Sequence, residues 1–177
     1  MALRKASSYS SFSARPYTRR SAVQNRSYIK AVPAQKVVRF EMGDIQGWTA
    51  GKYKNLLRIR TMENVQIRDT ALESARQCMH KILDTKLPEQ YYLTVKVFPH
   101  HVLRENKMIT GAGADRMQTG MSQSFGRTIG RAALVKAGAD VFLIAVADQR
   151  QLKIVREAVR QAKAKLPFAV HVLTEFA

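Results

Sequence analysis

The sequence has few of the residues that support thiol chemistry, a metal centre or a membrane span. Its 177 residues include one cysteine, Cys78, and four histidines. A single cysteine cannot form an internal disulfide or a thiolate metal site, and it is typical of a reducing compartment. No apolar run approaches the roughly 20 residues of a transmembrane helix, and no secretory signal is present. We therefore expect a soluble protein with no membrane partner.

Acidic residues are also scarce. The chain has 30 Lys and Arg against 13 Asp and Glu, which gives a net charge of +17 and a pI near 10.5. The first 40 residues contain nine of these cations and no acid. This excess indicates a polyanion, above all a nucleic acid, as the leading class of partner.

Residues 1–35 form a basic extension in which tyrosines alternate with arginines. Aromatic and guanidinium planes can stack on unpaired bases while the charges meet phosphates, so this composition favours RNA binding. The same Arg- and Ser-rich composition is typical of an organellar transit peptide, although Pro16 and Pro33 would interrupt a long amphipathic helix. We expect the extension to be disordered alone and ordered on a polyanion. The candidate RNA-binding residues here are Arg4, Lys5, Arg15, Tyr17, Arg19, Arg20, Arg26 and Lys30.

Residues 36–177 are long enough for one domain with a single core. An apolar stripe that includes Cys78 predicts a helix over 70–84, capped by Asp69 or Thr70, with Glu73 placed to complete a capping box from Thr70. A second helix, capped by Asp148, is predicted with an apolar inner face and an outer face of five cations, Arg150 to Lys163, with almost no acid. Strands are predicted at 36–41, 55–61, 91–98, 130–135, 140–146 and 168–176, with a hairpin or tight turn at Gly138.

The order of these elements predicts the α+β class, with a mixed or antiparallel sheet covered on one face by two helices. Alternating residues from Tyr91 to Val97 predict a strand that is buried on one face only. Trp48 lies in a predicted loop between the first two strands. We interpret it as a plug at the edge of the core, because this is a commoner role for a lone tryptophan than base stacking.

Residues 99–128 show neither a helical nor a strand period and are predicted to form a long loop. Loops of more than about 15 residues are uncommon in compact domains and are usually functional or disordered. The glycines of the loop do not match a nucleotide-binding pattern. Arg116 stands where a dinucleotide fingerprint needs its third glycine, and five residues separate Gly120 from Gly126 where the P-loop pattern has four.

The sequence shows no catalytic centre. His100 and His101 are adjacent, so their side chains would diverge in a strand, and neither His80 nor His171 has Cys or carboxylate neighbours at a metal-ligand spacing. We interpret all four as ordinary polar histidines. The adjacent pair Asp115 and Arg116 is too common to identify a reaction. We predict no enzyme activity and no cofactor.

One stretch of the loop is more specific than its glycine spacing. GADRMQTGM at 113–121, together with RPYTRRS, YIKAVP, KVVRFEMGD and AKLPF, resembles the family of universal large-subunit ribosomal protein sixteen, in the branch called ten-e in archaea. The resemblance extends from about residue 13 to the C-terminus, and it weakens the transit-peptide hypothesis. The family usually continues GMRxAFGKPxGxxARV, whereas this chain has GMSQSFGRTIGRAALV. Ser122 therefore replaces an arginine and Thr128 a proline.

The resemblance implies an α+β fold of the α/β-hammerhead type and no catalysis. It implies a place in the large subunit of cytoplasmic ribosomes, on large-subunit rRNA and beside tRNA and neighbouring large-subunit proteins. The protein would help to shape the site for aminoacyl-tRNA, with the flexible loop at about 100–128 directed to the peptidyl-transferase centre. Arg127 and Arg131 join the candidate rRNA-binding residues. The candidate tRNA-proximal residues are Arg104, Lys107, Met108, Gly111, Gly113, Asp115, Arg116, Gln118 and Thr119.

Two other hypotheses belong to different classes. The first is a nucleotide-dependent RNA-processing enzyme that uses residues 111–130. The second is a free ribosome-assembly factor, which would sediment apart from mature particles.

Overall fold

A computed structural model describes residues 6–9, 11–13, 15–20, 29–106 and 126–176. Within these residues the chain forms eight strands, three α-helices and one short 3₁₀ helix. The 3₁₀ helix is Ala6–Tyr9, the α-helices are α1 (Ile45–Thr49), α2 (Asp69–Lys86) and α3 (Gln151–Lys163), and the strands are β1 (Glu41–Gly43), β2 (Asn55–Thr61), β3 (Val65–Arg68), β4 (Tyr91–Val95), β5 (His101–Glu105), β6 (Arg127–Val135), β7 (Asp140–Val146) and β8 (Val170–Phe176).

The strands form two antiparallel sheets. The larger has the order β1-β4-β7-β2-β8 and the smaller has the order β3-β6-β5. The predicted α+β class with antiparallel strands is confirmed, but the expectation of one sheet is wrong. The tight turn at Gly138, where φ is +82°, joins β6 to β7. These two strands lie in different sheets, so they do not form a hairpin.

One face of the larger sheet packs on α2 and α3, as predicted. Leu93 of β4 and Ile144 of β7 are partners across the ladder and are completely buried on this face. Met79 of α2 and Val155 of α3 belong to the same apolar cluster, so burial of apolar surface holds the helices to the sheet. The predicted stripes of both helices are confirmed, although Cys78 lies at the margin of its stripe and is half-buried.

The opposite face of this sheet is partly covered by α1. The Trp48 ring stacks on Tyr92 with 4.8 Å between centroids, and Tyr53 completes a small second cluster. The interpretation of Trp48 as a plug at the edge of the core is confirmed, although it lies in a helix rather than a loop. All five residues of β4, including Tyr92 and Thr94, are buried. The prediction that this strand is buried on one face only is wrong for that reason.

The predicted strand at 36–41 is wrong except for its last residue, because two carboxylates capture N–H groups that a ladder would use. Lys36 N–H donates to Asp69 Oδ2 at 3.1 Å, and Val38 N–H donates to Glu73 Oε2 at 3.2 Å. Strand β1 therefore starts at Glu41 and pairs with β4.

A close approach of two backbones ends β1. Gly43 has φ of +87°, and a Cβ atom here would lie 2.1 Å from the carbonyl oxygen of Tyr91. Only glycine fits this position without displacing the start of β4.

The predicted side-chain caps of both helices are wrong. Helix α2 follows β3 directly, with Arg68 as an N-cap whose side chain makes no capping hydrogen bond. Helix α3 has Arg150 in this position, and the Asp148 backbone N–H donates to Gln151 Oε1 at 3.2 Å. In α2, Glu73 is turned inward instead of back toward Thr70, because it binds Arg76 and the segment around Val38.

Glu73 and Arg76 form a buried ion pair on α2. The carboxylate accepts from Arg76 Nε at 2.8 Å and from Gln77 Nε2 at 2.8 Å, and Arg76 Nη1 lies 3.0 Å from Met42 Sδ. Hydrogen bonding by Arg76 lowers the pKa of Glu73 below its usual 4.5, so the carboxylate is ionised at neutral pH. The pair joins α2 to both the 36–40 segment and β1.

We expect Glu73→Gln to lower the free energy of unfolding by about 3 kcal/mol, because Arg76 would keep a buried charge without a counter-charge. Urea denaturation of the full chain measures this difference. Because the folded-state pKa of Glu73 is lowered, its contribution to the free energy of unfolding is present above the unfolded-state pKa and is lost as pH falls. The difference in stability between the two proteins should therefore narrow in acid. The exposed Glu63→Gln is the matched control, with an expected change below about 0.5 kcal/mol. Equal losses in both variants would contradict the role of the pair.

Candidate RNA-binding surface

The N-terminal arm, defined here as the described residues between 6 and 20, is held on the smaller sheet by peptide groups. Tyr17 N–H donates to His101 Nδ1 at 2.8 Å, and Val102 N–H donates to the Tyr17 carbonyl at 3.0 Å. Strand β5 is an edge strand of the smaller sheet, so it can accept such a neighbour. Ile29 N–H donates to the Arg19 carbonyl at 2.8 Å and brings the chain back beside the arm.

Two tyrosines of the arm lie under guanidinium groups of the body. The Arg104 Cζ atom is 3.8 Å from the centroid of the Tyr17 ring, and Arg68 Cζ is 4.2 Å from that of Tyr9. Gln66 Nε2 also donates to the Tyr9 carbonyl at 2.9 Å. Cation–π contacts of this kind stabilise by about 0.5–2 kcal/mol, depending on desolvation. Tyr17 and Arg104, predicted to serve the arm and the loop respectively, therefore contact each other.

This mode of attachment leaves several cations in solvent. Arg15, Arg20, Lys30 and Arg127 are exposed, and Arg19 is half-buried. Among the described residues, no carboxylate lies within ion-pair distance of Arg15, Arg20 or Lys30. Unneutralised guanidinium and ammonium groups on a surface attract phosphate strongly.

Arg131 and Thr128 of β6 hold the segment that follows the arm. Arg131 Nε donates to the Pro33 carbonyl at 2.6 Å, and Thr128 Oγ1 donates to the Ala31 carbonyl at 2.8 Å. Arg131 is half-buried, and at least one of its N–H donors, Nε, binds the protein's own backbone. Thr128, where the family pattern usually has proline, contributes a hydroxyl to the contact.

Strands occupy both ends of the span 99–128 that was predicted to be a loop. β5 covers 101–105 and β6 begins at Arg127, with Glu105 opposite Arg127 and Arg104 opposite Thr128. The first three residues of β5, His101 to Leu103, are all buried, so the sequence shows no alternation there. Several predicted residues lie outside the described part of the chain, and these are Arg4, Lys5, Arg26, Lys107, Met108, Gly111, Gly113, Asp115, Arg116, Gln118 and Thr119.

His101 is the anchor residue that the sequence did not reveal. It was interpreted as an ordinary polar histidine, and it lies 84 positions from Tyr17, so no local pattern joins the two. Burial, with the nearby charge of Arg104, lowers the pKa of His101 below its usual 6.5. The neutral ring keeps a lone pair on Nδ1, which is what the Tyr17 N–H requires.

Two classes of site find no support in the described segments. No helix there is both long and apolar enough to cross a membrane. Likewise, no group of three or more His, Cys, Asp or Glu residues in these segments could hold a metal ion.

We expect the contact at Tyr17 to weaken as pH falls from about 7.5 to 5. Since the folded-state pKa of His101 is lowered, its contribution is present above the unfolded value of 6.5 and is lost as pH falls through the folded value. Protonation turns Nδ1 from an acceptor into a donor. The backbone amide resonance of Tyr17 in the full chain reports the change. His101→Asn, whose amide oxygen is an acceptor that does not titrate, should remove the pH response, and the same response in both proteins would refute the assignment.

Comparison with known proteins gives the family of the chain. A profile of the family described as "Ribosomal protein L16p/L10e" matches residues 12–173. The chain is 43% identical over 174 residues to "Large ribosomal subunit protein uL16" of Staphylothermus marinus, which covers 98% of this chain and 94% of that protein. The protein of the same description from Thermofilum pendens is 42% identical over 176 residues, covering 99% and 98%. That from Archaeoglobus fulgidus is 38% identical over 162 residues, covering 91% and 87%.

These comparisons settle the class of the protein. The relatives are ribosomal proteins of archaea rather than enzymes, so both the resemblance to the archaeal branch and the prediction of a non-enzymatic protein are confirmed. The matched residues include all eleven strands and α-helices except the last three residues of β8. The chain belongs to the ribosomal protein L16p/L10e family.

Proposed function

We propose that the chain binds large-subunit rRNA through its N-terminal extension and supports accommodation of aminoacyl-tRNA through the loop between β5 and β6. Its family makes it a ribosomal protein of the large subunit, located on cytoplasmic ribosomes. The observation that carries the rRNA proposal is the attachment of the arm by peptide groups, which leaves Arg15 and Arg20 in solvent.

The physical basis of rRNA binding is electrostatic. Each phosphate that a Lys or Arg neutralises releases condensed counterions, and this entropy gain makes binding steeply dependent on salt. An arm fixed on β5 presents its cations at a constant place on the surface, so less conformational entropy is lost on binding than for a free tail. The described residues of the arm would thus act as a partly preorganised extension of the 36–177 body.

The tRNA proposal depends on where the two ends of the loop join the body. Pairing of Glu105 with Arg127 closes the base of the loop, and Arg104 at this base contacts Tyr17 of the arm. Because the ends of the loop lie beside an arm that binds rRNA, the loop would start from a fixed position in the subunit. Glycines such as Gly111 and Gly113 allow its backbone to approach RNA closely. Neighbouring large-subunit proteins would complete its surroundings.

The other hypotheses have less support. A nucleotide-dependent enzyme would stand apart from relatives that are all ribosomal proteins over nearly their full length. A free assembly factor would sediment apart from mature subunits at physiological salt, whereas a structural component would remain with them until high salt. Sedimentation of tagged chain therefore separates these two roles.

The double variant Arg15→Gln with Arg20→Gln should bind large-subunit rRNA with a weaker dependence on salt. We expect the negative slope of log K against log salt to become shallower by about 1.4–1.8. The reason is the loss of two phosphate contacts. The matched control is Lys54→Gln with Lys81→Gln, which removes the same charge from exposed positions in the body. Filter binding over a salt series measures both slopes. Equal reductions in the two double variants would show a general effect of net charge and would overturn the assignment to the arm.

We expect deletion of residues 106–118 to leave folding and rRNA binding intact and to slow accommodation of aminoacyl-tRNA. The β5–β6 ladder through Leu103 and Gly130 lies outside the deletion and should preserve the sheet. Large subunits assembled with this variant would be tested for tRNA accommodation and the free chain for cooperative unfolding. A control with 106–118 replaced by Gly-Ser repeats of equal length separates the chemistry of the loop from its length. Loss of cooperative unfolding, or normal accommodation in both variants, would contradict the proposal.

A further inference from the structure

The outer face of α3 carries a row of cations that belongs to a different surface from the arm. Arg156, Arg160 and Lys163 follow one another at spacings of four and three residues, so they lie on one side of the helix, and all three are exposed. Glu157, the one acid in α3, is paired with Lys86 of α2 at 2.7 Å. No carboxylate in the described segments lies within ion-pair distance of the three cations.

Helix stability explains only part of this row, since Arg160 and Lys163 lie in the last turn of α3, where cations interact favourably with the helix dipole. Like charges four residues apart, such as Arg156 and Arg160, destabilise a helix by about 0.2–0.5 kcal/mol. The same positions with alternating charge would have strengthened it. A row of exposed cations with no carboxylate within ion-pair distance among the described residues fits a surface that meets an external anion.

The row forms one wall of an open groove. Val172 and Thr174 of β8 form the other wall, and Val159, which is buried, lies between them in a cavity of about 360 Å³. Within the described residues, strand β8 lies at the edge of the larger sheet and pairs with β2. The groove therefore lies at a free edge of the sheet, with cations along one side and small side chains on the other.

A polyanion is the class of ligand that fits these walls. Helix α3 has 13 residues, and at 1.5 Å per residue it extends for about 20 Å. Arg150 and Lys153 continue the exposed charge toward its start. Guanidinium groups match phosphate with two parallel hydrogen bonds, and the small apolar floor leaves space for sugars.

We propose that the α3–β8 groove binds the sugar–phosphate backbone of rRNA, as a contact separate from the arm. This inference rests on the proposed rRNA-binding function and extends it to a second surface. An acidic peptide that adds a strand to β8 is the competing occupant. RNA is favoured because the charge continues along the whole helix, whereas an added strand would be recognised through main-chain bonds beside β8. With both contacts, the protein bridges two segments of rRNA.

The first test is the salt dependence of binding to a 24-base-pair RNA duplex by the full chain. For the triple variant R156Q/R160Q/K163Q, we expect the negative slope of log K against log salt to become shallower by about 2–3. Affinity at 0.1 M salt should fall by roughly 100-fold or more, if counterion release accounts for the loss. The matched control is K54Q/K81Q/K136Q, which removes three exposed charges elsewhere. Thermal unfolding of each variant should be cooperative, with unchanged midpoints.

The outcomes distinguish this inference from the proposed function. An unchanged slope in R156Q/R160Q/K163Q, or the same loss in the control, overturns the proposal that the groove binds RNA. The proposal for the arm is then still tested separately by the Arg15 and Arg20 double variant. Failure of the unmodified chain to bind RNA at all overturns both proposals. Binding of poly-glutamate that depends on the three cations, with RNA affinity unchanged, replaces RNA by an acidic peptide.

The second test uses the protein in assembled large subunits. An iron chelate tethered at Gln161→Cys, which is exposed on α3, in a Cys78→Ala background should cleave rRNA at one confined segment. The same chelate at Lys136→Cys, in the turn between the sheets, is the control. Absence of rRNA cleavage from position 161, or cleavage of the same nucleotides from both positions, overturns the groove assignment.

Discussion

Strand β6 is paired on both sides, and the placement of the whole candidate RNA-binding surface depends on this pairing. Ala133 lies opposite Ile67 of β3, and Arg131 lies opposite Val102 of β5. Antiparallel ladders fix neighbouring strands about 5 Å apart, so β6 determines where β5 presents its edge to the arm. The same strand closes the loop at its base and then runs through Gly138 into the core of the larger sheet. The buried core thereby positions residues that lie on the surface.

Much of the fold follows from period and composition, because helices α2 and α3 and strand β2 each bury one repeating face, and β7 is a continuous apolar run that is buried on both faces. The failures share a physical cause, which is partnership between residues distant in sequence. Side chains of α2 capture the N–H groups of Lys36 and Val38, so a β-rich run does not become a strand. Trp48 and Tyr53 cover the second face of β4, so its burial does not alternate, and β5 is buried at three consecutive residues. No local pattern carries such information.

The candidate surface was predictable as a composition but not as a geometry. Clustered arginines and tyrosines in the first 35 residues indicated RNA, and the family supports that interpretation. The contact of Tyr17 with Arg104 and the hydrogen bond to His101 join positions more than 80 residues apart, which spacing alone does not reveal. The cations of α3 were visible as an unneutralised face, but the groove beside them required knowing that β8 lies at the edge of a sheet.

The way the arm is attached also bears on how its sequence can change. The body holds it through the N–H and carbonyl of Tyr17, and holds the following segment through the carbonyls of Ala31 and Pro33. Every residue type supplies a carbonyl, and every type except proline supplies an N–H. Side chains here, other than the Tyr9 and Tyr17 rings that contact Arg68 and Arg104, can therefore change over evolution without detaching the arm, apart from proline at position 17. Selection for anchorage therefore acts on the backbone and on the rings of Tyr9 and Tyr17, whereas selection for a matching RNA surface acts on exposed cations such as Arg15 and Arg20.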